Sequence, residues 1–205
     1  GALCVHPDYR GSEASHRLFD LHKNTALKEG CRQMFLEVIA GNDRALRFYE
    51  KKGYEKMYDL AYYSHSNPME FDEALPESVT VERIAMASLR EFGKNSNGVH
   101  VNWQNDFDYI SQLDTQVNYG LFKGTGMIGA LSIGLLGRIS YLWILPDYRG
   151  KGFAKGLLSW AIRELEPKRL VISFPNNALL AGFVKRMNFT KDPISQYEMY
   201  LTLFD

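Results

Sequence analysis

Three things are scarce in this sequence. It has two cysteines in 205 residues, no surplus of either charge (24 Lys and Arg against 24 Asp and Glu), and no long apolar run. Each shortage excludes a class. Cys4 and Cys31 lack metal-ligand spacing, and two cysteines are too few for a disulfide framework. We therefore expect no metal site, and a reducing, cytoplasmic setting is the default. A formal net charge of +0 and a pI near 7.1 provide no basic field for a polyanion, so no nucleic-acid partner is expected. The longest apolar stretch, Gly126 to Leu136, is far below the ~20 residues of a membrane helix, so no membrane partner is expected either. No signal peptide follows Gly1, and a start at Gly rather than Met suggests a chain that begins in the middle of a longer one.

What is present is enough to fold. With 45% hydrophobic residues and no net charge, the composition is that of a globular protein, as one large domain or two small ones.

The most informative feature is a repeat. Pro-Asp-Tyr-Arg-Gly occurs at Pro7–Gly11 and again at Pro146–Gly150. Each copy follows a short apolar run, Ala2–Val5 and Ile139–Leu145, and each precedes a helical pattern. Phe153, Leu157, Leu158, Ala161, Ile162 and Leu165 mark one helix face; Ala14, Leu18, Leu21 and Thr25 sketch the other, stopped by Gly30. Strand-like runs follow at Gln33–Ile39 and Arg169–Phe174. Then come two related helices, Asn42 to Tyr54 and Asn177 to Phe189, and aromatic-rich strands at Lys56–Tyr63 and Ser195–Phe204.

The copies differ upstream. Strands are predicted at Glu77–Ile84, Tyr119–Lys123 and Met127–Ile133 before the second copy, whereas six residues precede the first. Residues 77–205 thus read as a complete unit and 1–66 as the C-terminal half of a degenerate one. Residues 67–76, with Asn67-Pro68 and Pro76 as breakers, read as the linker.

The second copy carries the clearer chemistry. A strand ending at Leu145 and a helix starting near Gly150 leave the first-turn amides without internal partners, at the positive end of the helix dipole. Gly150, Gly152 and Ala154 let a phosphate approach the backbone, and Arg149 and Lys151 add positive charge. A tight strand–helix turn uses glycines too, so the turn alone leaves both readings open.

Arg149, Gly152 and Ala154 fit the pattern Arg or Gln, two residues, Gly, one residue, Gly or Ala. With the flanking residues and the second motif, this stretch resembles the acetyl-CoA signature of the GNAT superfamily of N-acetyltransferases. The resemblance implies an α/β fold built on a mixed sheet, with acetyl-CoA as cosubstrate and no metal. It implies a diphosphate held by the amides of Gly150, Lys151, Gly152, Phe153, Ala154 and Lys155, beside Arg149. It further implies a pantetheine arm paired with the backbone at Leu142–Ile144, and Asn177 near that arm. The thioester would lie where the strand from Arg169 splays from its neighbour. The acceptor implied is a small-molecule or peptide amine, shaped by Ala85–Leu113.

The catalytic groups are incomplete in this copy. Family members often protonate the departing thiolate with a tyrosine, where this copy has Val184. No carboxylate occurs from Arg138 to Leu145, leaving Ser140 and Tyr141 as polar candidates. The first copy has the opposite defect. Tyr49 matches the tyrosine acid, but Arg10-Gly-Ser-Glu13-Ala-Ser15 puts a carboxylate where glycine is expected. If Glu13 stood ~4 Å from a phosphate at an effective dielectric near 20, the repulsion would be roughly 4 kcal/mol.

Three functions remain open. The first is an acetyltransferase whose second copy binds the cosubstrate, and the second is an inactive relative that senses acyl-CoA or mediates assembly. In the third, the first copy works through Tyr49. The truncated first copy would also leave a sheet edge open, to be covered within the chain or by a second chain in a homodimer.

Overall fold

The computed structural model describes residues 5–9, 11–96 and 98–204. Most of the expected strand at Ala2–Val5, and Arg10 of the first loop, lie outside these residues. In chain order the elements are α1 (Ala14–Lys28), β1 (Gln33–Ile39), α2 (Asp43–Lys51), β2 (Glu55–His65), β3 (Thr80–Arg83), α3 (Met86–Gly93), α4 (Phe107–Ile110), β4 (Gln116–Lys123), β5 (Gly126–Gly134), β6 (Arg138–Ile144), α5 (Phe153–Leu165), β7 (Leu170–Phe174), α6 (Ala178–Arg186) and β8 (Thr190–Thr202). This is the expected α/β class with mixed strands.

The chain divides into two compact units, one of residues 1–58 with 196–205 and the other of residues 59–195. These packing units cut the sequence elsewhere than the repeat does, at 58/59 and 195/196 rather than within 67–76. The reason is strand sharing. The end of β2, which follows the first copy, pairs antiparallel with β7 from Ala61↔Phe174 to His65↔Leu170. The end of β8, which follows the second copy, pairs antiparallel with β1 from Gln33↔Thr202 to Ile39↔Gln196. Each copy thus gives the end of its last strand to the other's unit.

In the first unit, Phe19 of α1, Val38 of β1, Tyr54, Met199 and Leu201 form the core, with Leu46, Phe48 and Tyr49 of α2 packed against it. In α2, Ala45, Leu46, Phe48 and Tyr49 recur at helical spacing, so one stripe meets the core while Arg44, Arg47 and Lys51 stay outside it. Burial pushes the Tyr54 phenol up to about 12, with the Tyr49 hydroxyl adding to the effect.

In the second unit the strand order is β2-β7-β6-β5-β4-β3. Its core joins Leu121, Leu131, Ile133 and Ile139 of the sheet to Leu157, Leu158, Ala161 and Ile162 of α5. The periodic face read from the sequence is therefore the buried one. On the opposite side, Leu89, Phe92, Ile110, Ala130 and Tyr141 form a smaller cluster.

The joining residues are packed. Phe71 is buried in the main core beside His65 and Phe189, and Asp72 pairs with Arg163 at 3.4 Å. Leu75 lies so close to Gly156 that a Cβ there would stand 2.5 Å from its Cδ2. Residues 71–75 form a strap along α5.

Candidate active site

The repeat is visible in the backbone. Pro7–Tyr9 and Pro146–Tyr148 are each one turn of 3-10 helix, followed by Gly11 at φ 79° and Gly150 at φ 73°. Asn42 and Asn177 each cap the next helix, accepting from Ala45 N at 3.2 Å and Leu180 N at 3.1 Å. Gly53 and Asn188 then both take the left-handed conformation past the helix end. The copies diverge at the second position beyond the first loop glycine. Gly152 has φ 80°, whereas Glu13 has φ −71° in the right-handed region.

In the second copy, Gly150 and Gly152 make the turn into α5 through conformations that other residues rarely adopt. A side chain at Gly150 would meet nothing within 4 Å, so the turn faces open space there. The amides of the first turn of α5 face outward without intrahelical acceptors. Together these features fit a diphosphate cradle. Arg149 and Lys151 are engaged with their own loop. The Arg149 Nε–H donates to the Ile144 carbonyl at 2.9 Å, its guanidinium lies 4.4 Å from the Trp143 ring, and Lys151 Nζ donates to the Asp147 carbonyl at 2.9 Å. The Ile144 carbonyl, in the stretch expected to meet the pantetheine arm, thus already accepts one hydrogen bond. Lys155 pairs with Glu73 at 3.1 Å. Phe153 and Ala154 are half-buried against the core.

The expected splay is present. β6 and β7 pair in parallel at Arg138↔Val171 and Ile139↔Ile172, and no further. Beyond that point lies a cavity of about 60 Å³, lined by Ser140, Tyr141, Leu142 and Trp143 on one strand and by Ile172–Phe174 on the other. Asn177 stands on its wall, and His100–Asn102 and Asn105 bring in the segment expected to shape an acceptor site. Asn105 holds that segment down, with Nδ2 donating to the Ser173 carbonyl at 2.7 Å and to Asn102 Oδ1 at 2.9 Å.

Several buried polar atoms around this cavity make no hydrogen bond: Ser140 Oγ, Trp143 Nε1, Ser173 Oγ and Asn105 Oδ1. Buried groups of this kind are ordinarily satisfied, and at an active site they are free to meet a ligand or water. Burial pushes the Tyr141 phenol up to about 12, the Ser96 side chain opposing it only in part. Tyr141 is therefore a neutral donor at physiological pH, a poor base. No carboxylate lines the cavity among the described residues. Val184 is fully buried in the core beneath α6.

The first copy has its own cleft, about 700 Å³, between the 9–16 segment and α2. Asn42, Arg44, Arg47, Tyr49 and Lys51 line it on the helix side, with Tyr9, Gly11, Ser12 and His16 opposite. Glu13 is not among the lining residues. It pairs with Arg17 at 3.4 Å, and both side chains are largely exposed. At φ −71° the chain has already entered α1, and the Glu13 carboxylate points along the helix to Arg17 rather than lining the cleft. Tyr49 packs edge-on against Phe48 and Tyr54 while also reaching the cleft wall. The basic lining residues were not singled out from the sequence, although positions 44, 47 and 51 share one helix face.

Glu73, Asn105 and Ser173 carry no motif and were not foreseen. Tertiary packing alone brings them to the site. Among the described residues, no group of three or more His, Cys, Asp or Glu is placed to hold a metal, and no helix is long and apolar enough to cross a membrane.

The family model described as "Acetyltransferase (GNAT) family" matches residues 1–54 and 84–189. No curated protein sequence matches the chain. Among solved structures, a tandem GNAT protein from the clavulanic acid biosynthesis pathway aligns with a TM-score of 0.70 at 12% identity, over 98% of this chain and 74% of that one. A GCN5-related N-acetyltransferase from Sphaerobacter thermophilus aligns with a TM-score of 0.65 at 14% identity, over 98% and 71%. One from Kribbella flavida gives 0.65 at 13% identity, over 99% of this chain and 51% of that one. At such identities the likeness shows the fold.

Proposed function

Because the chain belongs to the acetyltransferase (GNAT) family, we propose that it transfers an acetyl group from acetyl-CoA to a primary amine of a small molecule or peptide, in the cytoplasm, with the cosubstrate on the second copy. The observation that carries this is the separation of β6 from β7 beyond Ile139 and Ile172, which opens a cavity with Asn177 on its wall, while the glycine turn into α5 follows the end of β6. The residues fit the group: two left-handed glycines, open space over Gly150, and unpartnered polar atoms at the end of the slot.

The amides of 150–155 would bind the diphosphate, with Lys155 and, once released from their loop contacts, Arg149 and Lys151 as counter-charges. The edge of β6 at Leu142 would pair with the pantetheine arm in the manner of an added strand. When bound, acetyl-CoA supplies the thioester carbonyl that the amine attacks. An amine is mostly protonated at neutral pH, so a proton must leave it first. With no carboxylate at hand, Ser140 Oγ, Ser173 Oγ and Asn105 Oδ1 would hold the water that takes that proton and passes it to bulk solvent. Tyr141 OH, held neutral, would donate a hydrogen bond to the developing negative charge. The buried Val184 offers no acid for the thiolate, a loss of about 10²–10⁴-fold where such an acid operates.

A second reading has one observation behind it. The cleft of the first copy has Tyr49 on its wall, three basic side chains from α2, and no intruding Glu13. In that reading the Tyr49 hydroxyl supplies the missing acid. The experiment is a thiol-release assay across a panel of amines, with acetyl-CoA binding by calorimetry in parallel. Loss of both signals in Gly152→Glu supports the second copy. Activity that survives Gly152→Glu and dies with Tyr49→Phe moves the chemistry to the first. Binding without turnover of any amine indicates an acyl-CoA sensor, the role that Val184 favours.

A further inference from the structure

The strap that joins the two repeats ends at the phosphate turn. Glu73 Oε2 lies 3.1 Å from Lys155 Nζ, and Glu73 Oε1 lies 3.4 Å from the point where a Cβ on Gly152 would stand. Its backbone N–H donates to the buried Ser159 Oγ at 3.2 Å. Asp72 pairs with Arg163 further along α5, Leu75 fills the notch at Gly156, and Phe71 is sunk in the core. The backbone that carries this carboxylate is therefore anchored by contacts on both sides.

A carboxylate and a phosphate suit the same surroundings, namely the free amides of a helix N-terminus and a nearby ammonium. From inside the chain, Glu73 takes the ammonium of Lys155 and stands beside the turn at Gly152. We infer that Glu73 is a built-in competitor for the diphosphate at the turn into α5, taking up Lys155 and repelling the incoming anion. This rests on the reading that the second copy binds acetyl-CoA. Binding then requires Lys155 to exchange one anion for another, and the apparent affinity is lowered by the fraction of chains in which Glu73 stands guard. Both side chains are about two-fifths exposed, so screening keeps the effect moderate.

The test is calorimetry on the full chain with two probes, acetyl-CoA and inorganic pyrophosphate. Removing one negative charge from a half-exposed phosphate site is expected to tighten both by about three- to tenfold in Glu73→Gln. Glu73→Asp keeps the charge and the strap but draws the carboxylate back by one methylene. It should fall between the wild type and Glu73→Gln, which preserves the test if the glutamine variant folds poorly. Unchanged or weaker binding of both probes in these variants overturns the competitor role and leaves Glu73 as a support for Lys155. No binding of either probe to wild type or variants removes the cosubstrate reading as well, an outcome distinct from the first.

Discussion

The Glu13 carboxylate lies 3.4 Å from the Arg17 guanidinium, one turn along the same helix. An acidic residue at the start of α1 followed by a basic one four places on is the favourable order for an exposed pair. The pairing draws the charge away from the cleft wall that Ser12, Ser15 and His16 present. A repulsion of several kcal/mol requires the carboxylate to face the anion, and it faces solvent.

Glu13→Gln should accordingly change little. Exposed pairs at this spacing contribute ~0.3–0.5 kcal/mol, and thermal melting of the variant should show a loss no larger than that. A large loss would show that Glu13 has a structural duty beyond the pair with Arg17.

Asn42 and Asn177 give a paired prediction. Each caps its helix through one side-chain acceptor, so alanine at either should cost about 1 kcal/mol in denaturant unfolding. Only Asn177→Ala should also weaken acetyl-CoA binding in calorimetry. If the two variants weaken it equally, Asn177 acts on binding through the stability of α6 alone.

Restoring the tyrosine acid at position 184 should fail. Val184 is fully buried, and a larger ring there overpacks a filled core, at a cost of about 1–3 kcal/mol. Val184→Tyr should melt earlier without a faster turnover. A faster enzyme of unchanged stability would mean that α6 can turn that position toward the slot.

Alkaline pH should loosen the second unit. Burial raises Tyr119 and Tyr141 to about 12, from 10.0 in the unfolded chain. Between those values the unfolded phenols lose protons that the native ones keep, so the unfolded state is favoured and stability falls as pH rises. Below about pH 10 neither residue makes stability depend on pH. Melting curves from pH 9 to about 12 should show this decline, and Tyr141→Phe should flatten it.

Some of this was legible in the sequence and some was not. Gln33–Ile39 forms a strand with the limits read from its strand-like run, and Phe153–Leu165 a helix with the expected buried face. Local patterning decides both. The two helices opened by Asn42 and Asn177 were legible for the same reason. The partners of β2 and β8 were not, because aromatic-rich strands carry no mark of whose edge they join. The strap was hidden as well. Asn67-Pro68 and Pro76 correctly signal a break in regular structure, but they say nothing of how tightly Phe71 and Leu75 pack. At the site, glycine positions were readable because backbone geometry demands them. Asn105 and Glu73 were not, since a single polar side chain gains its meaning only from what faces it.

The exchange of terminal strands has a consequence for how the protein can be taken apart. A cut anywhere in 67–76 leaves β2 on one product and β7 on the other, and likewise separates the end of β8 from β1. Each half would expose an unsatisfied strand edge. Two fragments made this way complete themselves only by finding each other, so their recovery should depend on mixing and concentration. Neither copy, cut at the joining residues, keeps all the strands of its own packing unit.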